Sequence, residues 1–169
     1  DMEQVLADFG NSNQGQDPKI FLYENFLKEY DKDRKDKHGV FYTPKEVVGF
    51  IVRSVHETLQ KDFGLADGLA DTTTWAEFAG QHENVTIPEG WDDAPFVQIL
   101  DPATGTGTFL LETIDVIHTH LTAKWQSEGK SDAECKKLWQ AYVPQHLLPR
   151  LHGFELMMAP YAMAHMLLA

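Results

Sequence analysis

The stretch from Val97 to Leu111, Val-Gln-Ile-Leu-Asp-Pro-Ala-Thr-Gly-Thr-Gly-Thr-Phe-Leu-Leu, constrains the fold more than any other part of the chain. A short apolar run ends at Asp101, a Gly-x-Gly turn follows, and an apolar pattern with helical spacing begins immediately afterwards. This succession is typical of a strand, a ligand-binding turn and a crossover helix in an α/β sheet. We therefore expect a small-molecule site at this turn.

The residues around the turn indicate which ligand it would accept. Gly105 and Gly107 can adopt a positive φ and carry no Cβ, so a ligand can lie directly on the backbone at the start of the next helix. Residues 62–123 contain no Lys or Arg, whereas polyphosphate sites usually place a basic residue beside their glycine loop. The carboxylate of Asp101 suits a cationic ligand such as S-adenosylmethionine, which carries a sulfonium and an ammonium group. The alternative is that Asp101 and Pro102 form an ordinary strand-ending turn.

Composition limits the classes of protein that remain. The chain has 169 residues, enough for one domain, and a net charge of −12, which argues against this piece being the main contact with nucleic acid. Its single cysteine, Cys135, excludes an internal disulfide framework and a cysteine-based zinc site, and it favours a reducing, cytoplasmic setting. Neither a signal peptide nor an apolar run of about 20 residues is present, so no membrane association is expected.

Changes in composition predict three regions. Residues 1–60 form an N-terminal helical region, residues 61–95 an insertion or loop region, and residues 96–169 the first part of an α/β domain. In the first region, helical spacing relates Ile20, Tyr23, Phe26, Leu27 and Tyr30. In the second, a short helix around Trp75 is expected to be capped by Asp71 or Thr72.

A helix is predicted to start after an aromatic-Thr-Pro motif in the N-terminal region. Thr43 fits the N-cap, Pro44 the first helical position and Glu46 the third residue of a capping box. Tyr42 precedes the cap and can pack against Val47 as a hydrophobic staple. The face expected to be buried against the sheet comprises Val47, Ile51, Val55 and Leu59, with Phe50 beside it.

Further helices and a second strand are predicted after the glycine turn. The first helix buries a stripe formed by Leu110, Ile114, Ile117, Leu121 and Trp125. Ser131 starts the next helix, which ends before Pro144. His118 and His120 are two residues apart and point in different directions, so we interpret them as ordinary histidines without a metal.

The segment from Arg150 to Glu155 is predicted to be a second short strand that ends in an acid. In nucleoside-binding α/β folds an acid at this place hydrogen-bonds the ribose hydroxyls. The alternative for Glu155 is an acid that stabilises the N-terminus of the following helix. That last helix, up to Ala169, is apolar on nearly every side and is expected to be buried between layers, so we expect the chain to be a fragment of a larger protein.

Three stretches in this order resemble the adenine-N6 DNA methyltransferases of restriction-modification systems. They are Val40-Phe-Tyr-Thr-Pro44, Asp101-Pro-Ala-Thr-Gly-Thr-Gly-Thr-Phe-Leu110 and Gly153-Phe-Glu-Leu156. The resemblance covers residues 20–60 and 95–169. It implies a truncated Rossmann-like S-adenosylmethionine-dependent methyltransferase fold, of α/β class, with N-terminal helices.

The resemblance also implies roles for individual residues. Tyr42 and Thr43 would contact the methionine end of S-adenosylmethionine, and Asp101 would approach its ammonium group. Close backbone contacts would come from Ala103, Gly105 and Gly107. Glu155 would hold the ribose hydroxyls, and Leu156 would pack on the adenine ring.

The catalytic motif of that family, Asn/Asp/Ser-Pro-Pro-Tyr/Phe, is absent because no two prolines in this sequence are adjacent. Ala159-Pro160-Tyr161 lacks the acceptor residue and the second proline. We therefore expect no catalytic residue in this chain, no methylation of DNA by the fragment alone, and weak or absent cofactor binding. The full-length enzyme would methylate a flipped adenine, contact DNA mostly through other regions, and be fused to or associated with helicase, nuclease or specificity parts.

Other functions remain open at the level of the sequence. The same cofactor motifs serve amino methyltransferases that act on cytosine-N4, RNA or protein. A methyltransferase-like domain can also act in DNA binding or assembly without chemistry. A nucleotide-binding or NAD-dependent oxidoreductase is disfavoured by the segment without Lys or Arg.

Overall fold

The structure is a computed structural model that describes residues 43–168. Tyr42 and the helix predicted over residues 20–30 lie outside the described residues. Short helical turns occupy Gly68–Ala70, Val143–Leu147 and Leu148–Arg150. The longer elements are α1 (Lys45–Lys61), α2 (Trp75–Gln81), β1 (Ile99–Asp101), α3 (Thr108–Ser127), α4 (Asp132–Tyr142), β2 (Leu151–Gly153) and α5 (Met158–Leu168).

A two-stranded parallel sheet connects the two parts of the chain that the sequence marked as strands. β1 pairs with β2 in the register Ile99 to Leu151, Leu100 to His152 and Asp101 to Gly153. Helices α3 and α4 form the connection between the strands, as parallel pairing requires. The prediction of two short strands is confirmed, and this mixture of helices with a parallel sheet is compatible with the α/β class.

Helix α3 forms the centre of the hydrophobic core. Leu110, Ile117 and Leu121 are buried, and Ile114 and Trp125 are half-buried against the same core. The predicted stripe is therefore confirmed. Because this stripe is long and continuous, it can pack against α1 on one side and α4 on the other.

The prediction for the buried face of α1 is wrong. Val48 and Val52 are buried in the core with α3, whereas Val47, Ile51 and Val55 are exposed, as is Phe50. Leu59 is half-buried.

Helix α1 carries two adjacent apolar rows, and Gly49 lies beside the row that is buried. A Cβ at Gly49 would lie 3.0 Å from the Glu112 carboxylate of α3. The absence of a side chain there lets α1 approach α3 closely.

The predicted capping box at Thr43 is also wrong. Helix α1 begins at Lys45, and the preceding Pro44 has φ −55° and ψ 140°, with no side-chain hydrogen bond to the helix start. The Pro44 carbonyl accepts hydrogen bonds from the backbone N–H groups of Val47 and Val48. Because Pro44 is extended rather than helical, Thr43 lies one residue too far from the helix to cap it.

Residues 62–95 contain more ordered structure than the sequence indicated. Helix α2 is capped by Thr74, which forms a capping box with Glu77, so the expected caps Asp71 and Thr72 are wrong. The Asp71 carboxylate instead accepts hydrogen bonds from the N–H groups of Asp67 and Thr73. A small second core in this part of the chain contains Leu65, Phe78 and Val97, and the Phe78 and Phe96 rings stack with centroids 3.7 Å apart.

Helices α4 and α5 follow the predicted positions but not every predicted face. Ser131 caps α4 with a capping box to Glu134, as expected for its start. In α5 the buried residues are Pro160 and Ala164, while Met158, Tyr161 and Met166 are exposed, so burial between layers is not observed. Among residues 43–168, no helix has both the length and the hydrophobicity needed to cross a bilayer.

A fully buried arginine joins three segments of the chain. The Arg150 guanidinium donates from Nε to the His146 carbonyl, at 2.8 Å, and from Nη1 to the Asp71 carbonyl, at 2.7 Å. Its Nη2 donates to the Tyr142 hydroxyl, which in turn donates to the Ala70 carbonyl at 2.8 Å. These contacts hold the 68–71 turn and the end of α4 directly beside the start of β2.

Removing the Tyr142 hydroxyl tests this network. Tyr142→Phe leaves a buried carbonyl and a buried guanidinium N–H without a partner, so we expect a loss of about 1–3 kcal/mol in the free energy of unfolding. Urea denaturation measures it. Tyr161→Phe is the matched control, because Tyr161 is exposed and its loss is expected to be below about 0.5 kcal/mol. Equal effects of the two substitutions would contradict the role of the network.

A half-buried histidine pair links α1 with α3. His56 Nδ1 accepts a hydrogen bond from the Leu69 N–H, at 3.2 Å, which requires that nitrogen to be unprotonated. The His120 ring lies edge-on to it with centroids 4.9 Å apart. Burial and the neighbouring His120 lower the pKa of His56 below its ordinary value of 6.5, while Glu57 and Asp67 oppose that shift.

This arrangement predicts a loss of stability in mild acid. A histidine whose pKa is lowered by folding binds fewer protons in the folded chain than in the unfolded chain, so its contribution is present above about pH 6.5 and is lost as the pH falls below it. Unfolding free energies measured from pH 7 to pH 5 should decrease, and His56→Gln should flatten the decrease. His118→Gln serves as the control and should retain it. An unchanged slope in His56→Gln would contradict the assignment.

Candidate functional site

The carboxyl ends of β1 and β2 bring the glycine turn and the second acid to one edge of the sheet. Phe154 N–H donates to the Asp101 carbonyl, and Thr104 N–H donates to the Phe154 carbonyl, each at 2.9 Å. The chain that leaves β1 is thereby fastened to the chain that leaves β2. The two predicted site segments, 101–107 and 155–156, lie side by side as a consequence.

The Glu155 carboxylate contacts the glycine turn directly. Its Oε2 accepts a hydrogen bond from the Gly105 N–H at 2.8 Å, and its Oε1 accepts one from the Met157 N–H at 2.7 Å. Each carboxylate oxygen has a second lone pair that can accept another donor. The carboxylate is therefore held in a fixed orientation at both oxygens, and lone pairs remain for further donors.

Asp101 has one carboxylate oxygen that is buried and without a partner. Its Oδ1 accepts a hydrogen bond from the Ala103 N–H at 3.1 Å, which shapes the start of the turn. Its Oδ2 makes no hydrogen bond to any of the residues that the structure describes. Because buried polar atoms normally have partners, this oxygen fits a site completed by a donor such as an ammonium group.

The two glycines of the turn have different surroundings. Gly105 has φ +56°, and a Cβ added there would meet no heavy atom within 4 Å. Gly107 has φ +87° and precedes α3, and a Cβ there would lie 3.3 Å from the Ala164 Cβ of α5. Gly105 thus has no neighbour on the side where a side chain would project, while Gly107 allows the start of α3 to pack against α5.

The remaining predicted site residues fall into two groups. Ala103 is exposed beside the turn, and Leu156 is 98% exposed, so both are accessible to a ligand at this edge. Tyr42 lies outside the described residues. Thr43 is half-buried at the start of the described residues, and its contact with a cofactor stays a prediction.

Thr104 and Gly153 support the site and were not singled out individually by the sequence. Thr104 is buried, and its hydroxyl donates to the Asp101 carbonyl at 3.1 Å. A Cβ at Gly153 would lie 2.6 Å from that Thr104 hydroxyl oxygen and 2.9 Å from Leu110 Cδ1. Only glycine permits this close approach of β2 to the turn. A glycine two residues before the acid Glu155 was the available signal.

A separate groove lies between α1 and α3. It has a volume of about 320 Å³, and the side chains of Arg53, His56, Glu112 and His120 form part of its lining. None of the predicted site residues lines it. Within residues 43–168, no group of three or more His, Cys, Asp or Glu side chains is arranged to hold a metal ion.

The different surroundings of the two glycines lead to a prediction about stability. Both have a positive φ, so an alanine at either position adds backbone strain of about 1 kcal/mol. Gly107→Ala also forces its Cβ against Ala164, and we expect it to lose roughly 1 kcal/mol more than Gly105→Ala. Chemical denaturation of the two variants measures the difference. A larger loss in Gly105→Ala would show that the packing is assigned to the wrong glycine.

Comparison with known families supports the first part of the resemblance. Residues 19–71 match the family model described as N-6 DNA Methylase. This range contains Tyr42, Thr43 and helix α1, and it ends at Asp71, before the glycine turn. No curated protein sequence and no solved structure matches the chain. The chain is therefore similar to N-6 DNA methylases over residues 19–71, which points to a DNA methyltransferase.

Proposed function

We propose that this chain is the S-adenosylmethionine-binding part of an adenine-N6 DNA methyltransferase of a restriction-modification enzyme, with a Rossmann-like fold. One observation carries the proposal more than any other. The Glu155 carboxylate accepts a hydrogen bond from the Gly105 N–H at the carboxyl ends of two parallel strands. These two residues are 50 positions apart in the sequence. This is the place at which α/β folds bind nucleoside ligands. The family match over residues 19–71 supplies the methyltransferase class.

The residues at this edge fit the groups of the cofactor. The free lone pairs of the Glu155 carboxylate would accept the two ribose hydroxyls, and the unpartnered Oδ2 of Asp101 would accept the ammonium group. Leu156 would cover one face of the adenine ring, as its full exposure allows. Ala103 and Gly105 would provide the backbone surface between these groups. The bound cofactor would supply an activated methyl group.

Tyr42, Thr43 and Gly107 complete the proposed site in different ways. Tyr42 and Thr43 would contact the methionine end of the cofactor, and both fall within the range matched by the family model. Gly107 would hold the turn in shape through its packing against Ala164.

Methyl transfer itself is proposed for the full-length enzyme. The 169 residues contain no pair of adjacent prolines, so the family's catalytic motif is absent from this sequence. Ala159-Pro160-Tyr161 lies at the start of α5, where Pro160 is buried, which does not suit a base-binding loop. With a net charge of −12, the chain would leave most DNA contacts to other regions or to associated helicase, nuclease or specificity parts.

A ligand pair that differs in its ammonium group tests the proposal. S-adenosylhomocysteine carries the ammonium group and adenosine does not. Millimolar titrations followed by backbone amide chemical shifts should show both ligands shifting the Gly105 amide. Asp101→Asn should weaken the binding of S-adenosylhomocysteine by about tenfold, which is roughly 1.4 kcal/mol of binding free energy. The affinity for adenosine should stay unchanged.

Asp115→Asn is the matched control, because Asp115 is an exposed acid on α3 and should leave both affinities unchanged. Absence of S-adenosylhomocysteine binding by the full-length enzyme, measured by calorimetric titration, would contradict the proposal. That result would favour a methyltransferase-like module that acts in DNA binding or assembly without the cofactor.

A further inference from the structure

We infer that Glu155 is also a specificity-determining residue, which excludes phosphate-bearing ligands from the glycine turn by occupying the Gly105 N–H with its own carboxylate. The inference concerns the cofactor site and rests on the proposed function for its biological meaning. The class of ligand that the site would reject is phosphate-bearing compounds. Nucleotides and dinucleotides share adenine and ribose with the proposed cofactor, so a site that binds those groups needs a means of rejecting them.

The hydrogen bonds of Glu155 provide that means. In loops that bind phosphate, backbone N–H groups at the glycine turn point at the phosphate oxygens. Here the Gly105 N–H donates to Glu155 Oε2 at 2.8 Å, and the Met157 N–H holds the other oxygen at 2.7 Å. A phosphate would have to displace a carboxylate that is held at both oxygens.

Charge adds to this effect. Asp101 lies at the same edge with an unpartnered carboxylate oxygen, so a phosphate would meet two acids. The three cations Arg53, Lys124 and Arg150 are engaged elsewhere, by the carboxylates of Glu112 and Asp67 and by backbone carbonyls. These three described cations are therefore not available to balance a phosphate at the turn.

The side of Gly105 on which a side chain would project is unobstructed. A Cβ added there would meet no heavy atom within 4 Å. The φ of +56° at this residue is also compatible with a turn that receives a ligand. The inference assigns the exclusion to the carboxylate that occupies the Gly105 N–H, so removing it should open the turn to phosphate.

Inorganic pyrophosphate is the direct probe, because it has the charge of a nucleotide and neither adenine nor ribose. The chain and Glu155→Gln are titrated with pyrophosphate, and the Gly105 amide shift is followed. We expect at least tenfold tighter binding at the Gly105 amide in Glu155→Gln than in the unmodified chain. Glu155→Ala is the second variant. It also removes the side-chain acceptor that a glutamine keeps for the Gly105 N–H, so it should bind pyrophosphate at least as tightly as Glu155→Gln.

Glu128→Gln is the matched control for net charge. It removes one negative charge at the far end of α3, about 30 Å from the turn, and should bind pyrophosphate like the unmodified chain. Equal pyrophosphate affinity in the unmodified chain and the Glu155 variants would overturn the inference, as would a gain of the same size in Glu128→Gln. A parallel titration with S-adenosylhomocysteine keeps the two proposals separate, because its failure would remove the proposed cofactor and leave the pyrophosphate result standing.

Discussion

The parallel pairing of β1 with β2 is the constraint on which the candidate site depends. Each strand has only three residues, yet their register sets Asp101 opposite Gly153 and so places the turn after β1 beside the acid after β2. A sheet of this size contributes few hydrogen bonds of its own. Its geometry must therefore be maintained by the helices that pack around it and by the contacts at the strand ends.

Arg150 provides much of that maintenance, because it directly precedes β2. Its guanidinium is fully buried and is satisfied by neutral acceptors, the carbonyls of His146 and Asp71 and the hydroxyl of Tyr142. The 68–71 turn that receives these bonds lies at the end of the range that matches the N-6 DNA methylase model. The network thus joins the last residues of the matched range to the strand that Glu155 follows.

The sequence predicts the elements well where one signal dominates. The stripe of α3, the cap at Ser131 and both strands follow from periodicity and capping patterns, and the structure contains them. Helix α1 has two competing apolar rows, and the choice between them depends on how closely Gly49 lets it approach α3. The core formed by residues of the 62–97 segment arises from aromatic contacts without a regular period, which periodicity cannot reveal.

Part of the candidate site could likewise be predicted from the sequence, and part could not. Asp101, Gly105 and Glu155 could be placed at one edge from the order of strands and turns, since parallel strand ends converge. The hydrogen bond between Gly105 and Glu155 could not be predicted, because it depends on the register and on the fit of Gly153 against Thr104. The different surroundings of Gly105 and Gly107 likewise depend on α5, whose Ala164 lies 3.3 Å from the position of a Cβ at Gly107.

A crystal structure of the chain with S-adenosylhomocysteine is the most direct measurement of the central claim. The account predicts the ligand at the ends of β1 and β2, with the ribose hydroxyls on the Glu155 carboxylate and the ammonium group at Asp101. A ligand bound in the groove between α1 and α3, with the glycine turn empty, would contradict it.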